Sequence, residues 1–468
     1  MKGITEIELT DIRTGEKEKY TKTNLVTNAM ADFFSHNING MLFTINGNTN
    51  DLKDNMLPIC PNAIGGILLF SDTIEEDPDK YFAPSGNPCV GYASTNVNAT
   101  TNIMRGSMNL TESKKLEHGY KFVWDFTTSQ ANGTISCVAL THKWAGLAYM
   151  GDTYNGNNFI WGIRSRHGES SAEARTAYIN AVEIDPENNF FWTMGLNQSN
   201  ELVIQKVRAS FTSIGLNDTM FGSNYEVLFE IKLNPVSFVM SNPDRSEERY
   251  DFFDGKDGYW YGFMHEQNRD GNAVFNKIKI SKADYSFTEE TMIVNGAKTH
   301  AVGYHGGYNT NPSRDVHSVL LNGFLYIVSY DNTRVYKINI ENSADVTEIP
   351  LGFTSNYSCN DDYSRQGSIY LVNIGDWIIG SDFLINTEDR VFRKANNAPW
   401  TYTSTPLFPY GPYLLSFGGY YSGYPTVYYT RLNLFLVPSY LATINNLETS
   451  VIKTADKTMK ITYTIQEE

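Results

Sequence analysis

The chain has 468 residues, 41% of them apolar and 13% aromatic, enough to bury a sizeable core and to form two or three domains. Thirty-seven basic against fifty-two acidic residues give a formal charge of -15, which argues against phosphate-backbone binding as the main task and against nucleic acid as a partner. Cys60, Cys89, Cys137 and Cys359 are too few and too scattered for a disulfide scaffold or a zinc site, so reduced thiols are expected. The start, MKGITEIELTDIRTGEKEKY, has no apolar h-region, and runs such as IGGILLF fall short of the roughly 18 residues that span a bilayer, so neither signal-directed secretion nor membrane insertion is expected.

Alternation of Thr5, Ile7 and Leu9 with Glu6, Glu8 and Thr10 predicts a half-buried strand, and Thr14-Gly15 turns it into a second strand ending near Tyr20. Beyond this hairpin, Leu25, Val26, Ala29, Met30, Phe33 and Phe34 fall on one helical stripe, predicting a helix over 24–36 capped by Thr23 or Asn24. Its apolar side suits packing on its own domain's sheet, or contact with a neighbouring subunit. The loop NTNDLKDN lacks the glycine and terminal glutamate of a calcium loop and reads as solvated. From Ile64 to Thr141, GGILLFSD and the two runs in KFVWDFTTSQANGTISCVALTH read as strands of a small β-rich domain.

The stretch NGFLYIVSYDNTRVYKINI, Asn322 to Ile340, reads as a hairpin, and with HSVLL before it and DVTEIPL after it makes a four-stranded unit. Similar strand orders recur between Tyr178 and Ile231, between Tyr259 and Val294, and between Ser368 and Ala395, with a final aromatic-rich unit from Tyr410 to Pro438. A twisted four-stranded blade has two apolar faces that only neighbouring blades can cover, so the recurrence predicts a β-propeller of about five blades. The fold class is therefore mainly β: a propeller at 146–440, an N-terminal β-rich attachment domain at 1–145 carrying one helix, and a C-terminal connection and strand at 441–468. Met459, Ile461, Tyr463 and Ile465 alternate with polar residues, so this last strand either closes the propeller or, as favoured here, joins the N-terminal hairpin.

Chemistry is sparsely signalled. No G-x-S-x-G is present, and His300, His305 and His317 lack the cysteine or carboxylate spacing of a metal site, so neither cofactor nor metal is expected. A glycosidase would need two carboxylates about 5 to 10 Å apart, for which Asp254, Asp257, Glu266 and Asp270, or Asp361, Asp362 and Asp382, are candidates, although turns favour aspartate for their own reasons. The more distinctive stretch is the tyrosine-rich Ala398 to Phe435. Aromatic faces stack on sugars, and Gly418, Gly419 and Gly423 predict an exposed loop, which makes Tyr420, Tyr421 and Tyr424, with Trp400, the candidate ligand contacts.

The pieces TKTNLVTNAM, GGILLFSDTIEED, RGSMNLTES, VWDFTTSQANGTISCVALT and IKTADKTMKITYTI, in that order, resemble tail-associated structural proteins of phages, prophages and phage-tail-like particles of Gram-positive bacteria. The resemblance covers most of the first 145 residues and the last 20, and no heptad stem accompanies it. It implies a virion component of the distal tail or baseplate, a tail fibre or receptor-binding protein present in several copies and assembled in the bacterial cytoplasm. The implied partners are other tail proteins, further copies of itself and a host cell-surface glycopolymer. Under this resemblance the chain is a binding protein rather than an enzyme, with a tail-borne depolymerase or a purely architectural component as the alternatives.

Overall fold

The computed structural model describes residues 2–30, 64–143, 161–170, 181–209, 226–239, 249–265, 271–299, 318–355, 371–393 and 407–466, except 198, 381, 424–425 and 438, together with short pieces between. Two β structures are joined end to end. The first is a ten-stranded antiparallel sheet that combines both ends of the chain. Its N-terminal members are β1 (Lys2–Asp11), β2 (Lys17–Val26), β3 (Gly66–Phe70), β4 (Cys89–Ala93), β5 (Ser107–Met108), β6 (Lys114–Leu116), β7 (Gly119–Phe126) and β8 (Gly133–Thr141).

The second is a ring of five four-stranded antiparallel blades. Ahead of them in the chain stands β9 (Trp161–Ser170). Blade one is β10 (Ala181–Asp185), β11 (Phe190–Leu196), β12 (Leu202–Arg208) and β13 (Val227–Leu233). Blade two is β14 (Arg249–Asp254), β15 (Tyr259–His265), β16 (Ala273–Ser281) and β17 (Phe287–Val294); a small hairpin, β18 (Gly303–His305) and β19 (Ser313–Asp315), follows it. Blade three is β20 (Ser318–Leu321), β21 (Phe324–Val328), β22 (Arg334–Asn339) and β23 (Val346–Pro350), and blade four is β24 (Leu371–Ile374), β25 (Trp377–Gly380), β26 (Phe383–Ile385) and β27 (Val391–Arg393). Blade five contains β28 (Phe408–Tyr410), β29 (Tyr413–Gly423) and β30 (Thr426–Leu436), after which β31 (Thr443–Lys453) and β32 (Lys457–Gln466) return to the first sheet.

Four blades are built from consecutive strands, but the fifth takes its outer strand from β9, whose Trp161–Ser170 run pairs with β30 from Leu436 to Tyr428. This strand exchange closes the ring, a role that the sequence pattern does not assign to residues 161–170. Each junction between blades then has its own apolar filling. Met194 and Ile204 meet Trp260 and Ile278, Phe263 and Phe275 meet Leu325 and Ile338, and Val328 and Val335 meet Ile378 and Phe383. Ile379 and Leu384 meet Leu414 and Phe435, and Phe417 and Leu432 return to Phe191 and Val207 of blade one.

A local signature marks the blades. The second strand of every blade begins with an aromatic residue: Phe190, Tyr259, Phe324, Trp377 or Tyr413. In blades one to three another aromatic follows two positions later, and a lysine stands across from it on the third strand, in the pairs Trp192 with Lys206, Tyr261 with Lys279 and Tyr326 with Lys337. Each ammonium lies over its aromatic pair, at 3.6 Å from Phe190 for Lys206, 4.6 Å from Tyr259 for Lys279 and 5.1 Å from Phe324 for Lys337. Two of these lysines also reach the next blade, Lys279 to Glu341 and Lys337 to Asp389, each at 3.0 Å. The Asn322-Gly323 turn of blade three has both residues left-handed, as a two-residue hairpin requires.

In the first sheet the strand order is β4-β3-β8-β31-β2-β1-β32-β7-β5, with β6 on β7. Its ends meet through a parallel bridge between Tyr92 and Arg105, where Tyr92 N–H donates to Met104 O at 3.0 Å and Gly106 N–H to Tyr92 O at 2.8 Å, so the sheet is a nearly closed barrel. β32 pairs with β1 from Lys2–Gln466 to Asp11–Lys457, which places the C-terminal strand in the N-terminal sheet. The apolar alternation supplies the filling in rows: Thr5, Tyr463 and Phe122; Ile7, Ile461 and Trp124; Leu9, Met459 and Phe126. Burying each large side chain stabilises the barrel by about 2 kcal/mol.

The helix expected over 24–36 is corrected in its first turn. Residues 24–26 belong to β2, where Asn24 lies opposite Gly3, and Leu25 and Val26 lie opposite Ile444 and Thr443. Ladder bonds on both edges outweigh the local helical stripe there. Helical structure is present at Asn28–Met30, positioned by Thr27, whose hydroxyl donates to Leu441 O and Ala442 O at 2.9 Å; residues 31–36 lie outside the described residues. Ala29 and Met30 are buried in the barrel's own core.

The chain leaving blade one is clamped by blade two. Val236, Ser237 and Phe238 N–H donate to the Glu289 carboxylate at 2.8, 2.9 and 2.7 Å, joined by Ser237 Oγ at 3.1 Å. Burial opposes ionisation of Glu289, yet the converging N–H groups outweigh it and hold its carboxyl below the ordinary carboxylate value. A group so depressed contributes stability above its unfolded value and loses it as pH falls through the folded one. Glu289→Gln is therefore expected to lower the melting temperature at pH 7 and to flatten its decline below pH 4.5, measured by thermal denaturation across pH. In the barrel, Ile461→Ala is expected to cost about 2–5 kcal/mol in denaturant unfolding, whereas Ile452→Ala, at a position 61% exposed, should stay within about 0.5 kcal/mol.

Candidate functional site

The two faces of the propeller differ in their connections. On one face the inner hairpins turn in two to four residues, at 186–189, 255–258, 322–323, 375–376 and 411–412. At the opposite face, here called the loop face, the outer strand of one blade ends and the inner strand of the next begins. β12 ends and β13 begins at the turn face, where Arg208 N–H donates to Glu226 O at 3.0 Å.

The barrel docks on the turn face at blades four and five. Ser85 N–H donates to both oxygens of Asp376 in the blade-four inner turn, at 3.0 and 3.1 Å, and Ser85 Oγ accepts from Thr387 N–H in the outer turn at 2.9 Å. Trp377 Nε1 donates to Ala83 O at 3.2 Å, and Phe82 bridges Tyr440. β3 is consequently buried on both faces, Ile67 and Leu69 in the barrel cluster and Leu68 and Phe70 in a cluster with Val372, Trp377 and Leu384. The loop face points away from this contact.

Buried polar pairs tie the roots of the loop face together. Thr299 Oγ1 lies 3.1 Å from His265 Nε2. Tyr330 N–H of blade three donates to Lys298 O at 2.9 Å, Ser355 N–H donates to Asn332 O at 2.8 Å, and Ser355 Oγ donates to Asp382. Thr299 and Ser355 each stand five residues past the outer strand of their blade, Thr299 reaching back to its own blade and Ser355 forward to the next.

Tyr420 and Tyr421 are not in a loop. β29 continues through Gly418, Gly419 and Gly423, which lie opposite Arg431, Thr430 and Thr426. The glycines cost entropy, but the ladder to β30 fixes them, and β30 is fixed in turn by β9 up to the pair of Tyr428 with Ser170. Tyr420 is the register partner of Tyr429 and Tyr421 of Tyr428, so the two tyrosine pairs belong to one ribbon. β28 pairs only with Tyr413 to Leu415, leaving Gly418–Gly423 to extend about 20 Å toward the loop face beyond the inner strand. Tyr424 and Trp400 lie outside the described residues, Tyr424 between β29 and β30 and Trp400 between β27 and β28 in the chain.

Of the carboxylates proposed for hydrolysis, Asp254, Asp257 and Asp382 are among the described residues. Asp254 and Asp257 lie at the turn face, where Asp254 Oδ1 binds Lys282 Nζ at 2.7 Å and Asp257 Oδ2 accepts from Tyr261 OH at 2.7 Å. Burial works against ionised Asp254, but Lys256 and Lys282 hold its carboxyl below the usual range. Asp382 lies at the loop face, bonded to Ser355; Glu266, Asp270, Asp361 and Asp362 are outside the described residues. His305 is in β18, and His300 and His317 are also outside. Cys89 Sγ donates to Gly91 O at 3.2 Å, and burial pushes the Cys137 thiol up to about 12, far from a reactive thiolate. Burial likewise lowers His142 to about 3, keeping it neutral.

Sequence reasoning missed a second aromatic surface, on the side of blade one that faces blade two. Trp192, Phe229, Tyr285 and Trp260 form a contiguous group, with centroid distances of 5.2 Å for both Trp192–Trp260 and Phe229–Tyr285. The signal was available as aromatic residues in register on neighbouring strands.

No family model matches the sequence, and no curated protein matches it at a significant level. Among solved structures the chain has a low-level similarity to Trypanosoma rangeli sialidase, with 11% identity and a TM-score of 0.28 over 70% of this chain and 55% of that one. A chain of a nidogen/laminin complex matches at 9% identity and a TM-score of 0.22, over 72% of this chain and 96% of that one. A puromycin hydrolase matches at 11% and 0.22, over 77% and 50%. The chain thus spans about half the length of the sialidase and of the puromycin hydrolase, and likeness at this level carries no argument about activity.

Proposed function

We propose that the chain is a component of the distal tail or baseplate of a phage or phage-tail-like particle, with the barrel as its attachment module and the propeller's loop face presented to a host cell-surface glycopolymer. The observation that supports this reading best is the opposite placement of the two ends: the barrel covers part of the turn face, while the Tyr420–Tyr429 ribbon extends toward the other. The sequence pieces that resemble tail proteins fall in β2, β3, β5, β7, β8, β31 and β32, all members of one sheet. Exposed Val97, Ile103 and Leu110 give this barrel apolar surface for other tail proteins or further copies of itself.

The role is recognition rather than turnover. Exchange of Tyr420, Tyr421 and Tyr424 for alanine is expected to lower host-cell binding by about two orders of magnitude, at about 1 kcal/mol per stacked ring, while leaving the melting temperature and particle incorporation unchanged. Retained binding would overturn the ribbon's part in recognition. Release of reducing sugar from purified wall polymer, abolished by a single carboxylate exchange, would replace recognition with depolymerisation.

A further inference from the structure

The aromatic surface between blades one and two has the composition of a sugar site, and its register shows why. Glu183, Trp192, Lys206 and Phe229 occupy one cross-strand row of blade one, and Asp185, Phe190 and Arg208 the next row on the same face. Alternation along the strands places both rows toward blade two. The inner part is covered by Trp260 and by Lys282, which bonds Glu183 and Asp254 at 2.7 Å each, and Glu183 also accepts from Trp260 Nε1 at 2.8 Å. The outer part opens to solvent: Phe229 is 37% exposed, and Phe190, Trp192 and Tyr285 are half-buried.

Tyr285 is held in this group against its backbone preference. Its φ is +61°, a left-handed conformation that costs a bulky residue about 1–2 kcal/mol, in a turn where Gly or Asn would sit unstrained. Its ring stacks on Phe229 with an interplanar angle of 23° and lies 6.4 Å from Trp192. Charged hydrogen-bonding groups border the rings, with Lys206 Nζ 3.6 Å above Phe190 and Arg208 paired with Glu226 at 2.6 Å.

We propose that Phe190, Trp192, Phe229 and Tyr285, bordered by Lys206 and Arg208, form a binding site for a pyranose unit, separate from the loop face. The axial C–H face of the sugar stacks on the rings, and its hydroxyls accept from the lysine and arginine. The inference rests on glycopolymer recognition as the function and assigns it a second contact point on the flank of the propeller.

The test is titration of the full chain with an array of defined pyranose oligosaccharides, followed by intrinsic tryptophan fluorescence with Trp192 as reporter. Tyr285→Gly relieves the left-handed strain and is expected to melt at or above the wild-type temperature while weakening binding at least tenfold. Phe229→Ser, at the exposed rim, should weaken it similarly. Wild-type affinity in both variants overturns the flank site. If only the alanine variant of the tyrosine ribbon loses binding, the flank site fails and the proposed function stands; if no oligosaccharide binds the wild type, both fail.

Discussion

The pairing of β9 with β30 is the constraint on which the rest of the molecule depends. A four-stranded blade in isolation leaves two apolar faces in water, and a row of five leaves one such face at each end. Taking the outer strand of the last blade from the segment before the first removes both ends at once. Phe191 and Phe417, from the first and last blades, then stack with centroids 5.1 Å apart, and all five junctions are filled. Ring closure is a long-range contact that no local pattern specifies.

Closure also determines where the barrel is. The chain enters blade five through β9 and leaves it through β30, so both connections emerge side by side on the turn face. The strands nearest to them in sequence, β8 and β31, are neighbours in the barrel sheet, with Val138 opposite Asn445. The barrel is thereby a clasp across the two ends of the propeller, and its docking against blades four and five follows from the same geometry. The short inner turns of blades four and five, at 375–376 and 411–412, fit beneath it.

The four-stranded units and the C-terminal strand were legible because each depends on period-two alternation and turn chemistry. The hairpin of Phe324–Val328 with Arg334–Asn339 and the β32 alternation show this directly. Strand β14 was missed, since RYDFFD follows a charged run and precedes the expected start at Tyr259. The helix start failed because the helical period of Leu25 and Val26 is overridden by strands on either side, and the loop around Tyr420 failed because cross-strand partners, not glycine content, decide whether a ribbon continues. The aromatic-lysine signature of blades one to three escaped notice because its members are adjacent only across strands, and the flank cluster around Tyr285 needs contact between blades.

These features describe a molecule with a direction, one end built from chain termini and the other marked by the Tyr420–Tyr429 ribbon. The central claim is that this direction is the direction of a tail particle. Cryo-electron microscopy of intact particles assembled by the producing cell tests it most directly. The account predicts that the chain is found at the distal tail, with the barrel against the particle body and the loop face outward. A particle that lacks the chain, or one in which the loop face is packed inward and the barrel is free, would contradict it.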